Sequence, residues 1–256
     1  MSDILLTTKT HIPPPRSDLV HRPRLIQRLN NGLAEKHRLM LISAPAGYGK
    51  STLLGEWISQ LDGPAAWLSL EKGENSPARF WSYFISALHT IPSLRQLNLG
   101  QSILQAMRSH HPPPQDEMLA NLVNDFSLLE ENVILVLDDL HAITENTIHE
   151  GLVFLIEHLP LYTSSLRLVV ASRMDPPWPL ARWRARNELT ELRSKDLRFS
   201  TEEAHTFLDN IMEHRLANQD ITLLEQRTDG WIAGLQMAAV SLQGRMKTQG
   251  PAAGSY

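Results

Sequence analysis

The sequence predicts an α/β fold: a parallel β-sheet covered by helices on both faces and followed by a small helical subdomain. Three observations predict it. Apolar runs of strand length alternate with segments whose apolar residues recur at helical spacing. The first apolar run ends in a glycine-containing loop that leads directly into a helical pattern. From Ser200 onward, helical patterns follow one another without a strand between them.

The elements follow in order along the chain. We assign residues 1–36 to a proline-containing arm and a helix over residues 19–33. Residues 37–198 form the sheet domain, and its predicted strands are residues 38–43, 65–70, 133–138, 166–172 and 188–192. The predicted helices between them are residues 50–61, 77–88, 117–129 and 148–159. Residues 199–243 form the helical subdomain, which opens with a capping box over residues 200–203. Residues 244–256, rich in Gly, Pro, Ala and Ser, are predicted to be disordered.

Composition and charge exclude several classes of function. The chain has 256 residues, of which 42% are hydrophobic and 20% charged, an ordinary globular composition. Its 24 Lys+Arg against 28 Asp+Glu give a net charge of −4, without the basic surplus of a DNA-binding domain. The absence of cysteine excludes disulfides and thiolate catalysis. No stretch approaches the roughly 18 apolar residues of a membrane span. We expect a cytoplasmic protein whose present segment binds neither DNA nor a membrane.

The loop after the first strand carries a phosphate-binding motif. Its sequence Ala-Pro-Ala-Gly-Tyr-Gly-Lys-Ser matches the pattern GxxxxGK(S/T), except that Ala44 replaces the first glycine. A strand enters the loop and a helix leaves it, which is the context that this motif requires. The predicted nucleotide-binding residues are Ala44, Pro45, Ala46, Gly47, Tyr48, Gly49, Lys50, Ser51 and Thr52.

The chemistry of phosphate binding explains these residue types. Gly47 and Gly49 let backbone N–H groups converge on phosphate oxygens, and the following helix adds the positive end of its dipole. Lys50 is predicted to bind the β- and γ-phosphates, Ser51 to bind Mg²⁺, and Thr52 to bind the α-phosphate. A glycine turn beside a solvated lysine is the alternative interpretation, and the flanking strand and helix argue against it.

Two carboxylates end the third strand. Asp138 and Asp139 follow four apolar residues, so we expect them to lie at the carboxyl edge of the sheet, where open α/β sheets bind ligands. We predict that Asp138 orients Mg²⁺ and that Asp139 polarises an attacking water. Without the glycine loop, the same pattern would indicate only a strand that ends in a turn.

Arg173 comes directly after the fourth strand, at the same sheet edge. We predict that its guanidinium senses the γ-phosphate, because that edge is shared with Lys50 and Asp138. A surface arginine after a strand is the alternative. The arginines at 182, 184 and 186 are interpreted as a solvated helix face and not as a nucleic-acid patch.

Further motifs complete a family resemblance. They are the glycine loop, Ala-Trp-Leu-Ser-Leu at 66–70 with Arg-Phe-Trp at 79–81, Leu-Asp-Asp at 137–139, Ala-Ser-Arg at 171–173, Asp-Leu-Arg-Phe-Ser at 196–200 and Gly-Trp-Ile-Ala-Gly-Leu at 230–235. In this order they resemble the MalT-like regulators, large transcription activators of the LuxR type. The resemblance runs from residue 6 to about residue 242.

The resemblance implies a signal-transduction ATPase with numerous domains, the STAND class, in which ATP or ADP with Mg²⁺ controls self-assembly. It implies a P-loop NTPase sheet of strand order 5-1-4-3-2, which puts the Arg173 strand between those of Lys50 and Asp138. It also implies that Arg22 lies on the adenine side of the nucleotide and that the helical subdomain acts as a lid. Members of the family continue with a winged-helix region, an inducer sensor and a DNA-binding helix-turn-helix, none of which lies in these 256 residues.

Three functions remain open from the sequence. The first is a conformational switch that binds ATP, hydrolyses it slowly and self-associates when ATP is bound. The second is a catalytic P-loop ATPase or kinase with ordinary turnover. The third is a scaffold that no longer holds nucleotide, which Ala44 in the first loop position leaves open.

Overall fold

A computed structural model describes residues 5–15, 19–106, 114–129, 131–160, 166–212 and 216–248. Its five strands are β1 (Leu39–Ser43), β2 (Ala65–Ser69), β3 (Val133–Asp138), β4 (Leu166–Ser172) and β5 (Leu189–Arg193). They form one sheet of order β2-β3-β4-β1-β5, and every neighbouring pair is parallel. The order 5-1-4-3-2 is therefore confirmed, with β4 between β1 and β3.

The helices of the sheet domain are α1 (Pro23–Ala34), α2 (Lys50–Ser59), α3 (Pro77–Leu88), α4 (Pro92–Gln96), α5 (Gln101–Ala106), α6 (Gln115–Ser127), α7 (Asn146–His158), α8 (Leu180–Ala185) and α9 (Ser194–Leu197). Most of them connect successive strands, as parallel pairing requires. Helix α1 begins at Pro23, whose missing N–H and fixed φ suit the first helical position.

Alternation along the strands divides the core into two layers. In β1, Leu39 and Leu41 pack with the layer that contains α3, α6 and α7, whereas Met40 and Ile42 pack with α1 and α2. Successive side chains of a strand point to opposite faces, so a strand apolar at every position is buried on both. Every residue of β1, β3 and β4 is buried. The expected cover of helices on both faces is thereby confirmed.

The helical subdomain has a core of its own. Helices α10 (Thr201–Met212), α11 (Asn218–Thr228) and α12 (Ile232–Thr248) enclose a cluster that includes Phe199, Leu208, Ile221 and Leu235. The capping box is present, because the Ser200 hydroxyl accepts from the Glu203 N–H at 3.2 Å and the Glu203 carboxylate accepts from the Ser200 N–H at 3.0 Å.

The chain ends differ from the sequence expectation. Helix α12 runs through Thr248, so residues 244–248, which were predicted to be disordered, are helical. The Gln243 amide donates to the carbonyl of Ile211 at 2.7 Å and holds this part of α12 on α10. The remainder of the predicted tail, residues 249–256, lies outside the described residues. Among the described residues, no helix combines the length and the apolar character needed to cross a bilayer.

Candidate functional site

The glycine loop lies at the carboxyl end of β1. Gly47 and Gly49 have φ values of 81° and 73°, in the left-handed region that favours glycine. A Cβ added to Gly47 would lie 2.5 Å from Cβ of Ala233, so both the backbone conformation and the neighbouring helix require glycine. Helix α2 begins at Lys50, directly after the loop. The loop therefore has the conformation that the motif predicts, with its N–H groups before a helix N-terminus.

Lys50 is folded into the loop. Its side chain is buried, and Nζ donates hydrogen bonds to the carbonyl oxygens of Ala44 at 2.8 Å and Pro45 at 3.0 Å. Burial lowers the pKa of Lys50, and the carboxylates of Asp139 and Asp138 act against this change. The predicted cation and the two predicted acids thus lie in one electrostatic environment.

Asp138 ends β3 as a buried carboxylate. Burial raises its pKa above the ordinary value, while a hydrogen bond with the Ser51 side chain lowers it. Its Oδ1 also accepts from the backbone N–H of Asp139 at 3.0 Å. The structure therefore brings together Ser51 and Asp138, the two residues predicted to bind the metal, although they are far apart in sequence.

This donor set fits Mg²⁺. A hydroxyl and a carboxylate are hard oxygen ligands, and Mg²⁺ is held in proteins by one or two such groups together with phosphates and water. Among the residues that the structure describes, no group of three or more His, Cys, Asp or Glu side chains is placed to hold a metal. Ser51 and Asp138 would leave positions around the metal for phosphate oxygens and water.

Asp139 follows with a backbone φ of 57° and a side chain that is 46% exposed. Its Oδ1 lies 3.6 Å from Nδ1 of His141. Burial lowers the pKa of His141, Asp139 raises it, and Arg173 and Lys50 lower it further. His141 is thus a neighbour of the site that sequence reasoning missed. Its position two residues after Asp139 was the only available signal.

Arg173 lies just beyond β4 with an exposed side chain. Its positive charge lowers the pKa of both Lys50 and His141, so it belongs to the same edge of the sheet. The strand order explains this placement, because β4 lies between the strands that lead to Lys50 and Asp138. A role as γ-phosphate sensor stays a prediction.

A cavity adjoins the glycine loop. Its lining includes Gly49 and Thr52, and apolar side chains from the segment before α1 (Val20) and from the helical subdomain (Phe199, Ile232). The cavity thus begins at the phosphate loop and continues between apolar walls.

Arg22 lies in the wall of this cavity. It is buried, and its guanidinium donates to the carbonyl oxygens of Leu197 at 2.9 Å and Arg198 at 2.8 Å and to Glu203 at 3.1 Å. It also lies over the ring of Phe199, 5.0 Å from the centroid. The side chain therefore connects the segment before α1 to the helical subdomain. A contact of Arg22 with adenine stays a prediction.

The start of α12 covers the glycine loop. The indole Nε1 of Trp231 donates to the Ala46 carbonyl at 3.1 Å, and the Ala233 N–H donates to the Gly47 carbonyl at 3.1 Å. Sequence reasoning placed a lid here only by resemblance and did not single out these contacts, which join residues about 185 positions apart.

Comparison with known sequences now identifies the family. Residues 18–170 match the profile described as AAA ATPase domain. The chain belongs to this family. The resemblance to MalT is confirmed as well: this AAA domain protein is 32% identical to the HTH-type transcriptional regulator MalT of Serratia proteamaculans over 93% of its own length. It is equally similar, at 32% identity over 93% of the chain, to the serine/threonine-protein kinase PknK of Mycobacterium tuberculosis.

These relatives are much longer than the present chain, which spans 25% of the MalT sequence and 21% of the PknK sequence. A solved structure gives independent support for the fold. The STAND protein with a tetratricopeptide repeat sensor from Pyrococcus horikoshii superposes with a TM-score of 0.61 at 15% identity, over 88% of this chain and 30% of that one. The AAA domain therefore shares its fold with the matching part of that STAND protein.

Proposed function

We propose that this AAA domain is the ATP-binding and slowly hydrolysing switch module of a MalT-like transcription activator, in which nucleotide state controls self-assembly. The observation that carries the proposal is the direct hydrogen bonding of Trp231 and Ala233 to the glycine loop. Phosphate binding and the position of the helical subdomain then involve the same backbone. Promoter DNA and the inducer are assigned to other parts of such an activator.

In this proposal, Lys50 exchanges its bonds to the loop carbonyls for bonds to the β- and γ-phosphates. The exchange is favourable because a charge-assisted bond to phosphate is stronger than one to a neutral carbonyl. The loop N–H groups from Gly47 to Thr52 bind the remaining phosphate oxygens. Ser51 and Asp138 would hold Mg²⁺, which would neutralise charge on the phosphates.

Hydrolysis uses the exposed carboxylate beyond β3. Asp139 accepts a proton from a water whose oxygen attacks the γ-phosphorus, while the bond to the β,γ-bridging oxygen breaks and ADP leaves. Arg173 binds the γ-phosphoryl oxygens and is released with inorganic phosphate. Since Arg173 is exposed and the Asp139 carboxylate is 46% exposed, the site excludes water poorly. This favours slow turnover.

A switch requires its two conformations to bind ATP and ADP with different affinities. The bonds of Ala46 and Gly47 to the start of α12 provide the coupling, because any movement of the loop around a γ-phosphate changes them. We assign ADP to the arrangement in which α12 covers the loop and ATP to one in which α12 moves away and exposes a surface for self-association.

A catalytic kinase is the second candidate, and the similarity to PknK is the observation that favours it. The present sequence, however, contains neither an Asp-Phe-Gly nor a His-Arg-Asp tripeptide, which protein kinases use for metal binding and catalysis. A segment shared by a transcriptional regulator and a kinase is better explained as a regulatory module common to both.

The test is nucleotide binding and turnover with Mg²⁺, comparing wild type with Lys50→Ala and Asp139→Asn. Lys72→Ala and Asp220→Asn, at exposed positions outside the site, are matched controls. We expect tight binding that only Lys50→Ala abolishes, and turnover far below one per second that Asp139→Asn reduces further. Turnover of about 1 to 1,000 per second would favour a catalytic enzyme. Absence of binding would contradict both functions.

A further inference from the structure

Glu56 is a buried carboxylate that the mechanism above does not use. It lies on α2 in the wall of the cavity beside the glycine loop and is only 3% exposed. Its Oε1 accepts from Nδ1 of His21 at 2.9 Å and, at 3.4 Å, from the Gln60 amide. Its Oε2 is buried and has no hydrogen-bond partner. A buried acceptor without a partner is costly, so this oxygen, in a residue that lines the cavity, indicates a missing donor.

The position of Glu56 along α2 indicates which part of a nucleotide supplies that donor. Thr52, predicted to bind the α-phosphate, lies four residues earlier and therefore on the same face of the helix. Four residues correspond to about 6 Å along the helix axis. A nucleotide whose phosphates lie in the glycine loop thus extends its nucleoside towards Glu56, between the apolar side chains of Val20 and Phe199.

We propose that Glu56 is the residue that reads the base, with Oε2 accepting a hydrogen bond from the exocyclic amino group of adenine. This inference rests on the proposed function, since it assumes that nucleotide binds in the glycine loop. The apolar walls suit a planar ring, and the carboxylate supplies the single polar contact that fixes its identity.

The geometry favours adenine over guanine. Guanine presents two adjacent donors, N1–H and the 2-amino group, which a carboxylate binds with both oxygens. In Glu56 one oxygen is already bonded to His21 and to Gln60, so a single unpartnered oxygen remains, which matches the single amino group of adenine. The nearby Arg22 guanidinium donates to protein groups, so it is not available for O6 of guanine.

The experiment measures the dissociation constants of four nucleotides with the wild-type chain, freed of copurified nucleotide. They are ADP, GDP, purine riboside diphosphate, which lacks the 6-amino group, and 2′,3′-dideoxyADP, which lacks the ribose hydroxyls. We expect ADP to bind about 10- to 100-fold more tightly than purine riboside diphosphate, because a hydrogen bond to a charged group contributes about that much to binding affinity. The dideoxy nucleotide is expected to bind within about threefold of ADP, and GDP more weakly than ADP.

Variants assign the effect to Glu56. In Glu56→Leu the preference for ADP over purine riboside diphosphate is expected to fall to about one. Glu117→Leu, at an exposed position on α6, is expected to keep it. If Glu56→Leu does not fold, Glu56→Gln, which keeps the shape of the side chain, replaces it and is expected to lower the same preference.

Each outcome has one meaning. Equal binding of ADP and purine riboside diphosphate would overturn the inference but leave the proposed function intact. A loss of affinity with dideoxyADP alone would show that a ribose hydroxyl and not the 6-amino group supplies the donor, and GDP binding as tightly as ADP would show that the site does not select adenine. Either result overturns the assignment. Failure of all four nucleotides to bind would overturn the proposed function together with this inference.

Discussion

The backbone N–H of Ala233 donates to the carbonyl oxygen of Gly47 at 3.1 Å, and this bond joins the phosphate-binding loop to the first turn of the last helix. The two residues are also in close contact, since a Cβ on Gly47 would lie 2.5 Å from that of Ala233. The loop and the helix therefore cannot change position independently.

Gly47→Ala is expected to disrupt this contact. Alanine must adopt a φ of 81° and meet Cβ of Ala233, which together cost about 1–3 kcal/mol of stability. Urea unfolding measures the loss, and ADP affinity should fall with it. Gly73→Ala is the control, because a Cβ there would meet nothing within 4 Å, and a change within about 0.5 kcal/mol is expected. Equal effects of the two substitutions would contradict the account.

Arg22 and Arg24 form a matched pair for measuring how the subdomain is held. Both bond the Glu203 carboxylate, but the side chain of Arg22 is 5% exposed and that of Arg24 46%. Arg22→Ala is expected to cost about 3 kcal/mol, because it removes a buried cation and leaves the carbonyls of Leu197 and Arg198 with fewer donors. Arg24→Ala should cost less than about 1 kcal/mol. Chemical denaturation of both variants gives the comparison, and a larger loss for Arg24 would refute the assigned role of Arg22.

Asp138 is expected to support ATP binding while lowering the free energy of unfolding. Because burial raises its pKa in the folded state, its charged form opposes folding. The protonated form favours folding, and that contribution is fully present below the unfolded pKa and lost as pH rises through the folded pKa. Asp138→Asn should therefore raise the unfolding free energy at pH 7 by about 1 kcal/mol while weakening Mg²⁺-dependent ATP binding.

The advantage of Asp138→Asn should shrink as the pH is lowered through the raised pKa of Asp138, because the wild-type carboxyl then becomes neutral. Unfolding at a series of pH values from 7 to 4 measures this, with the exposed Asp220→Asn as control. A variant less stable than wild type at pH 7 would show that the hydrogen bond with Ser51 outweighs the cost of burial.

Local sequence patterns predict much of the fold and part of the candidate site. The sequence around Lys50 specifies a strand, a left-handed glycine turn and a helix through adjacent residues, so the loop could be predicted from the motif alone. The strands of Asp138 and Arg173 were recognisable as apolar runs. A parallel sheet places all three residues at one edge, but the position of the Arg173 strand between the other two followed only from the family resemblance, because no local signal in the chain encodes strand order.

The remaining features depend on contacts between distant segments. No pattern near Trp231 indicates that its indole bonds the Ala46 carbonyl. The contact of Arg22 with adenine stays a prediction, and the hydrogen bonds of its guanidinium to the helical subdomain could not be predicted, because they depend on how that subdomain packs on the sheet domain. Glu56 looked like an ordinary helix residue, and its unpartnered oxygen is visible only once His21 and the cavity walls are in place.

The most direct test of the switch is amide hydrogen exchange over residues 231–235, compared between ADP and a non-hydrolysable ATP analogue with Mg²⁺. The account predicts slow exchange at Ala233 with ADP, since its N–H is bonded to Gly47, and exchange at least several-fold faster with the ATP analogue. Lys50→Ala should show no difference between the nucleotides. Identical protection of this segment in both nucleotides, with both shown to be bound to the wild-type chain, would contradict the coupling of the phosphate loop to the helical subdomain.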